Sequence, residues 1–239
     1  MSDSATAPPH AIHLHPTAPL AERVLLPGDP GRALALAQSL LKQPLMFNHN
    51  RGLWGYTGEA HDGRPLTIQA TGMGGPSAAI VLGELIALGA RRMIRVGTCG
   101  ALSPSLALGE LVIARESICA DGSSRALSGG AERVGADELL TAALARADPS
   151  VSVGTIVSVD LFYEREGSPR AERHAPEALA VEMEAATLFA LGAAEQVPVA
   201  CLLAVTDTFG ANGQRTRIEP EPLLAAAERM GALALTALG

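Results

Sequence analysis

The sequence predicts an α/β fold in which a mostly parallel sheet is covered by helices on both of its faces. Short apolar runs without polar alternation, such as RVLL at 23–26, are typical of strands that are buried on both sides. Ala-rich helical segments alternate with these runs along the chain. The length of 239 residues fits one large domain of this class, so we assign residues 1–239 to a single domain.

Pro- and Gly-containing turns divide the first half of the chain. Residues 1–20 are polar and rich in Pro and His, and we expect them to be extended. RVLL is stopped by PGDP, and Gly63 separates two further apolar runs. The elements predicted in this half are strands at 23–26, 55–60, 65–70 and 93–96 and helices at 31–41 and 77–88. We expect Gly97 to Gly100 to form a tight turn that leaves the strand at 93–96.

The second half repeats the alternation of apolar strands with Ala- and Leu-rich helices. The strands predicted here are 110–114, 152–158 and 199–205, and the helices are 137–146, 184–195 and 220–238. Two polar segments interrupt them, GSSRALSGGAERVG at 122–135 and YEREGSPRAERHA at 163–175. Their composition predicts surface loops rather than linkers between domains.

Composition excludes several functional classes. Aromatic residues make up 3% of the chain and the net charge is −7, which argues against a nucleic-acid binder. The three cysteines form no CxxC pair, so we expect neither a disulfide framework nor a metal site. The N-terminus lacks a secretory pattern, and no apolar run reaches membrane-spanning length. We therefore expect a cytoplasmic protein without a membrane partner.

Three glycine-bearing turns follow predicted strands: PGDPGR at 27–32, TGMGGPS at 71–77 and RVGTCG at 95–100. At the carboxyl ends of strands, glycine lets backbone N–H groups approach an anion closely. Arg32 and Arg95 add guanidinium groups that suit phosphate oxygens. Without Walker A or GxGxxG spacing, the turns favour free phosphate over ATP or NAD. Each turn alone is also compatible with an ordinary strand-to-helix connection.

The stretch VEMEAATLFA at 181–190 places Glu182 and Glu184 in one of the most apolar regions of the chain. Residues two apart diverge on a helix but point to the same side of a strand. If VEME is a strand end before a helix that starts near Ala185, both carboxylates face one pocket, and Met183 packs against it or covers it. Such a pair suits the vicinal hydroxyls of a ribose. A solvated helix start, where the helix dipole favours acids, is the alternative.

A third feature is AVTDTFG at 204–210, in which Asp207 closes a predicted buried strand and enters a Gly-containing loop. A side chain at this position reaches a site at the sheet edge. The alternative is an Asp that forms a turn or caps a helix.

Together these segments resemble a known family. The matching segments, which are spread over most of the chain in the family's order, are RVLLPGDPGR, NHNRGLWGYTGE (48–59), TGMGGPS, IRVGTCGAL (94–102), SVDLFY (158–163), VEMEAATLF and AVTDT. They resemble the nucleoside phosphorylases, in particular the bacterial hexameric purine nucleoside phosphorylase and uridine phosphorylase branch.

The resemblance implies a three-layer α/β/α sandwich with a twisted, partly closed mixed central sheet. It implies cleavage of a nucleoside by phosphate to a free base and a pentose 1-phosphate, with phosphate as co-substrate and without a cofactor. The phosphate ligands that it implies are Gly28, Arg32, Arg95, Thr98 and, from a neighbouring subunit, Arg51.

On the nucleoside side, the resemblance implies that Glu184 binds the ribose hydroxyls, with Met183 against the sugar and Glu182 nearby. Phe162 would lie against the base or the sugar. A histidine would come from the neighbouring subunit, and we choose His13, with His15 as the alternative. A dimer would then be the smallest competent unit, and the family leads us to expect a hexamer built as a trimer of dimers.

Asp207 matches the general acid that protonates the leaving purine at N7, while the bound phosphate attacks and stabilises the cationic sugar. Arg215 and Arg217 are both candidates for an arginine that assists this step. Uridine-cleaving relatives usually lack the acid and carry a Gln/Arg pair in the loop after SVDLFY, whereas that loop here has no glutamine. Thr98 in place of serine is seen more on the uridine side, so uridine phosphorylase stays the alternative.

Two other functions are compatible with the same scaffold. A hydrolytic nucleosidase, such as one that cleaves methylthioadenosine, would need no phosphate site, and Arg32, Arg51 and Arg95 argue against it. A protein that only binds nucleosides would not need Asp207 together with these arginines. The sequence therefore favours a purine nucleoside phosphorylase.

Overall fold

The computed structural model describes residues 11–163, 177–210 and 214–239. In these ranges eleven strands belong to one sheet. The strands are β1 Arg23–Leu26, β2 Leu45–Asn48, β3 Gly55–Glu59, β4 Pro65–Gln69, β5 Arg92–Ala101, β6 Leu111–Ala120, β7 Arg133–Gly135, β8 Ser152–Val159, β9 Ala180–Glu182, β10 Val199–Phe209 and β11 Arg215–Arg217. The helices are α1 Pro30–Leu40, α2 Gly75–Leu88, α3 Gly122–Leu127, α4 Glu138–Ala147, α5 Ala185–Ala194 and α6 Pro220–Ala237, and Asn50–Gly52 is a 3₁₀ turn.

Part of the sheet closes on itself. The strands β10, β6, β8, β9 and β5 pair in that order, and β5 pairs again with β10 to complete a ring. The strands β1, β4, β3 and β2 extend the sheet outward from β5. Parallel pairs, such as β1 with β5 and β5 with β10, occur together with antiparallel pairs, such as β6 with β10. The twisted, partly closed mixed sheet that the resemblance implies is confirmed. The mostly parallel sheet expected from the apolar runs is wrong, because six of the eleven described strand pairs are antiparallel.

The helices form a layer on each face of this sheet. One apolar core contains Leu25 and Ile94 together with residues of α1, α4 and α6, such as Leu36. The other contains Val24 and Met93 with residues of α2 and α5. Neighbouring strand residues point to opposite faces, and both are buried here, which explains why the strands are apolar without alternation. The predicted three-layer sandwich is therefore confirmed.

The predicted tight turn at Gly97 to Gly100 is wrong, because β5 continues to Ala101. Residues 97–99 pair in parallel with residues 203–205 of β10. A Cβ atom at Gly97 would lie 2.7 Å from Cζ of Arg95, and one at Gly100 would lie 3.1 Å from the ring of Phe209. These glycines mark places where a side chain approaches the strand, not a change of chain direction.

The predicted loop at 122–135 is also wrong in part, because it contains α3 and β7. The side chain of Asp121 caps α3 by accepting a hydrogen bond from the backbone N–H of Ser124 at 2.8 Å. The strand β2 was not predicted. Most of the predicted loop at 163–175 lies outside the described residues, as do residues 1–10 and 211–213. Among the described helices, none has the length and apolarity needed to cross a membrane.

Candidate active site

The side chain of Arg95 lies at the centre of a buried charged group. It projects from β5 and is 3% exposed. Its Nε donates a hydrogen bond to Oε2 of Glu182 at 3.0 Å, and its Nη2 donates one to Oε2 of Glu184. Burial alone would lower the pKa of Arg95, but the carboxylates of Glu184 and Glu182 outweigh it and raise that pKa. Both glutamates of VEME thus face one site, as the sequence predicted for a strand end before a helix.

Glu182 is the last residue of β9, and protein donors surround its carboxylate. Oε1 accepts hydrogen bonds from Oγ of Ser158 at 2.5 Å and from the N–H of Ala185 at 3.0 Å. Oε2 accepts from the N–H of Glu184 at 2.9 Å as well as from Arg95. Burial raises the pKa of Glu182, although Arg95 opposes the shift. This carboxylate is part of the framework around Arg95.

Glu184 occupies the N-cap position of α5 and has fewer protein donors. Its Oε1 accepts a hydrogen bond from the backbone N–H of Gly74 at 2.5 Å, and its Oε2 accepts from Arg95. Gly74 belongs to TGMGGPS and precedes α2, so this contact joins the second glycine turn to the acidic pair. Met183 lies between the two glutamates and is half-buried.

The guanidinium of Arg95 retains one buried nitrogen, Nη1, that donates to no atom of the described residues. A Cβ atom at Gly28 would lie 3.9 Å from this nitrogen, so the first glycine turn borders it. Arg32 belongs to the first turn of α1, where Asp29 caps the helix by accepting from the N–H of Arg32 at 2.8 Å. A buried donor without a partner, beside a glycine turn, marks a place for an acceptor-rich ligand.

The electrostatic environment of Arg32 places it near the same group. Burial lowers the pKa of Arg32, Asp29 opposes this, and the positive charge of Arg95 lowers it further while Glu184 raises it. The first glycine turn therefore borders Arg95 at Gly28, and Arg32 interacts electrostatically with the same charged group. Thr98 is half-buried, three residues further along β5.

Asp207 lies on the neighbouring strand of the ring and is 4% exposed. It is inside β10, which continues to Phe209, so the expectation that it closes the strand is wrong. The register of β10 against β5 shifts between Val205 and Asp207, and Asp207 pairs with Gly100. Gly100 also pairs with Val181 of β9, next to Glu182. The candidate acid and the acidic pair therefore flank β5 at one end of the ring.

Among the described residues, three donors bind the carboxylate of Asp207. Its Oδ1 accepts from Nε of Arg215 at 2.8 Å and from Nη1 of Arg217 at 3.5 Å. Its Oδ2 accepts from Oγ1 of Thr206 at 2.8 Å. The hydrogen bond to Asp207 raises the pKa of Arg215, whose Cζ lies 4.6 Å from the ring centroid of Phe162. The geometry thus favours Arg215 over Arg217 as the partner of Asp207.

His13 and Arg51 form a second group. Nδ1 of His13 lies 2.6 Å from Oε1 of Glu84 on α2, and the carbonyl of His13 accepts from Nδ2 of Asn50 at 2.9 Å. Arg51, the residue after Asn50, has a left-handed backbone with φ of 56°, which is uncommon for a residue other than glycine. In the described part of the chain, no hydrogen bond or ion pair joins His13 or Arg51 to the Arg95 group.

The sequence reasoning missed three contributors to these groups: Ser158, Gly74 and Glu84. Ser158 opens SVDLFY and Gly74 lies in TGMGGPS, so both belonged to recognised segments without an assigned role. Glu84 is a charged residue in the largely apolar helix α2. Its carboxylate accepts hydrogen bonds from the backbone N–H groups of Ile12, His13 and Leu14. A lone acid on an apolar helix was the available signal.

Similarity to known proteins agrees with this geometry. A sequence model of the phosphorylase superfamily matches residues 22–238. The chain is 35% identical over 206 residues to a purine nucleoside phosphorylase DeoD-type of Alkaliphilus metalliredigens (strain QYMF), covering 84% of this chain and 88% of that protein. It is 34% identical over 208 residues to the protein of the same description from Clostridium novyi (strain NT), covering 84% and 89%.

Proposed function

Because this chain belongs to the phosphorylase superfamily, we propose that it is a purine nucleoside phosphorylase. It cleaves the N-glycosidic bond of a purine ribonucleoside or deoxyribonucleoside with inorganic phosphate. The products are the free base and (deoxy)ribose 1-phosphate. Phosphate is the co-substrate, and the reaction requires no cofactor.

The observation that carries this proposal is the buried Nη1 of Arg95, which lacks a partner and borders Gly28. Phosphate supplies acceptor oxygens for this nitrogen, for Arg32 and for the hydroxyl of Thr98. Glu184 has lone pairs left for the hydroxyls of the sugar. The two ligands would then lie on either side of one guanidinium, so the phosphate is positioned next to the sugar that it attacks.

The chemistry requires that the glycosidic bond breaks while positive charge develops on the sugar. The phosphate dianion stabilises this charge and bonds to the anomeric carbon. The purine leaves with the electrons of the broken bond, and a proton from Asp207 to N7 prevents it from leaving as an anion. Asp207 must carry this proton before the bond breaks, and Oδ2, which among the described residues accepts only from Thr206, is the oxygen that can donate it to N7. Phe162, whose ring packs against the guanidinium of Arg215, would face the base.

The proposal includes a neighbouring subunit. Arg51 is exposed, its backbone is strained, and His13 is fixed beside it by Asn50. We assign both residues to the site of the neighbouring chain, where Arg51 completes the phosphate site and His13 reaches the nucleoside. Reciprocal exchange of these residues makes a dimer the competent unit, and a trimer of such dimers gives a hexamer.

The test is base release from adenosine, inosine, guanosine and uridine, with and without phosphate. The proposal requires release from at least one purine nucleoside that depends on phosphate and yields pentose 1-phosphate. Equal release of adenine without phosphate would identify a hydrolytic nucleosidase. Preference for uridine over all three purine nucleosides would identify a uridine phosphorylase.

A further inference from the structure

A buried chain of hydrogen bonds runs from the interior of the sheet to Arg95. Oγ of Ser117 on β6 lies 2.9 Å from Oγ of Ser158 on β8, and Ser158 lies 2.5 Å from Oε1 of Glu182. Glu182 in turn accepts from Nε of Arg95 at 3.0 Å. Both serines are fully buried. Nothing in the phosphorolysis mechanism assigns a task to either serine.

We propose that Glu182 and Ser158 are positioning residues that hold Arg95 in place for phosphate, and that Glu182 does not bind the nucleoside. The inference rests on the proposed function. It gives the two glutamates of VEME separate tasks, with Glu184 as the ligand of the sugar and Glu182 as the anchor of the arginine.

The number of donors to each carboxylate carries this distinction. An ionised carboxylate has about four lone-pair sites. Glu182 accepts from four protein donors, namely Ser158, Ala185, Glu184 and Arg95. Its side chain is 1% exposed, so a sugar hydroxyl finds neither a free lone pair nor a path to it. Among the described residues, Glu184 accepts from two donors, Gly74 and Arg95, which leaves room for two hydroxyls.

The direction of the chain follows from the chemistry of its members. An ionised Glu182 can only accept, so Ser158 must donate its single hydroxyl hydrogen to Oε1. Oγ of Ser158 then accepts from the N–H of Ala186 at 2.9 Å and from Ser117. Ser158 is therefore itself held in one orientation. It fixes the carboxylate that fixes Nε of Arg95.

Arg95 needs this anchor because its other contact is shared with substrate. Nη2 donates to Glu184, whose carboxylate also accepts from the sugar hydroxyls when a nucleoside binds under the proposed function. The bond between Nε and Glu182 does not involve substrate. It keeps the plane of the guanidinium fixed, so that Nη1 stays beside Gly28, ready for phosphate.

The first test is Glu182→Gln, with Glu184→Gln as the matched control. The amide keeps the size of the side chain, but its NH2 group is a donor that faces the N–H and O–H groups that donate to the carboxylate. We expect kcat/KM for phosphate to fall about 10–100-fold, the effect of one lost charged hydrogen bond. The loss should be equal with inosine and 2′-deoxyinosine, and calorimetry should show weaker binding of inorganic phosphate alone. Glu184→Gln should lose more activity with inosine than with 2′-deoxyinosine.

The second test is Ser158→Ala, which leaves the charge of Glu182 in place. Removing one hydrogen bond to the carboxylate of Glu182, which does not itself contact phosphate, should raise the KM for phosphate about 5-fold while the KM for the nucleoside stays the same. This variant also decides the matter if Glu182→Gln fails to fold. An unchanged phosphate KM in Ser158→Ala would overturn the inference, and so would a loss in Glu182→Gln that is larger for inosine than for 2′-deoxyinosine. Wild-type base release without phosphate would instead overturn the proposed function.

Discussion

At the residue scale, the charges around Arg95 indicate that phosphate binding requires a further cation. Glu182 and Glu184 place two negative charges on one buried guanidinium, and nearby the positive charge of Arg32 is opposed by Asp29. A phosphate dianion added to these charges would be poorly compensated in a buried site. A further cation is needed, and Arg51 from a neighbouring chain is the candidate that the sequence supplies.

Gly97 offers a way to displace Arg95 without removing it. A Cβ atom at this position would lie 2.7 Å from Cζ and Nη2 of Arg95. In Gly97→Ala the flexible guanidinium should move rather than the strand, so we expect an intact fold by circular dichroism and a KM for phosphate that is about 10–100-fold higher. Gly83→Ala is the control, because its nearest neighbour, Cδ2 of Leu191, would be 4.0 Å away. A normal phosphate KM in Gly97→Ala would contradict the assigned role of Arg95.

The two arginines near Asp207 should differ in their effect on catalysis. Arg215 lies 2.8 Å from Oδ1 of Asp207 and is stacked on Phe162, whereas Arg217 lies at 3.5 Å and its side chain is 62% exposed. We expect Asp207→Asn to slow adenosine phosphorolysis about 10²–10⁴-fold and Arg215→Ala to slow it about 10-fold or more. Arg217→Ala should change kcat by less than about 3-fold. Single-turnover rates would measure these differences, and the opposite ranking of the arginines would show that Arg217 assists the acid.

At the element scale, an ion pair between a buried arginine and a partly exposed aspartate connects β1 to the turn between β3 and β4. Arg23 on β1 is 3% exposed and donates to both carboxylate oxygens of Asp62, at 2.5 and 2.6 Å. It also donates to the carbonyl oxygens of Pro65 and Arg64. β1 leads directly into PGDPGR, so this pair fixes the strand from which the first glycine turn starts.

The Arg23–Asp62 pair predicts a pH-dependent stability. The hydrogen bonds from Arg23 lower the pKa of Asp62 from 3.8 to about 2. Its contribution is therefore complete above about pH 4 and is lost as the pH falls towards about 2. Asp62→Asn should lower the free energy of unfolding by about 1–2 kcal/mol at pH 7, after a reduction for partial exposure.

Urea unfolding at pH 7 and pH 3 measures this contribution. The difference between wild type and Asp62→Asn should be smaller at pH 3, because wild-type Asp62 begins to take up protons in the unfolded state. Glu59→Gln is the control, since it breaks the exposed pair with Lys42 and should cost less than about 0.5 kcal/mol. A difference that does not depend on pH would exclude the carboxylate charge as its source.

The sequence predicted elements well where one local property decided them. RVLL is apolar and is followed by Pro, so β1 was predicted at its observed bounds. The helix at 122–127 was missed because its Gly- and Ser-rich composition has low helix propensity, and its stability comes from the buried cap Asp121. β5 was predicted too short because its glycines were interpreted as a turn. They instead accommodate the side chain of Arg95 on the same strand and the ring of Phe209 on β10, and local composition does not reveal either contact.

The same limit applies to the site. VEME identified both carboxylates, because alternation at a strand end is a local pattern. It could not reveal that the two carboxylates differ, since this depends on Ser158, which is 24 residues away in the chain. The sequence also could not decide whether Arg215 or Arg217 is the partner of Asp207, because that choice depends on how β11 pairs with β10. The local sequence identifies the residues of the site, and the strand pairing in the closed sheet determines which of them contact each other.

At the scale of the whole molecule, the N-terminal segment and the 3₁₀ turn form one unit that is distinct from the Arg95 group. Glu84 accepts three successive backbone N–H groups and the ring of His13, while Asn48 accepts from the N–H of His15 at 2.8 Å. Ile12, Met46 and Ile80 are exposed on nearby elements. A hydrogen-bonded unit that holds His13 beside Arg51, with exposed apolar residues on nearby elements, is suited to contact another copy of the chain.

Mixed oligomers test whether Arg51 completes the site of a neighbouring subunit. Arg51→Ala alone should raise the KM for phosphate at least about 10-fold, because a charged hydrogen bond to the anion is lost. When Arg51→Ala and Asp207→Asn chains are co-refolded in equal amounts, half of the sites in each mixed dimer combine an intact Asp207 with an intact Arg51. Random pairing should therefore restore about a quarter of wild-type activity. Arg95→Ala mixed with Asp207→Asn is the matched control, since both residues belong to the same chain's site and no pairing repairs it. If the first mixture recovers no more activity than the second, Arg51 acts within its own chain and the shared site is excluded.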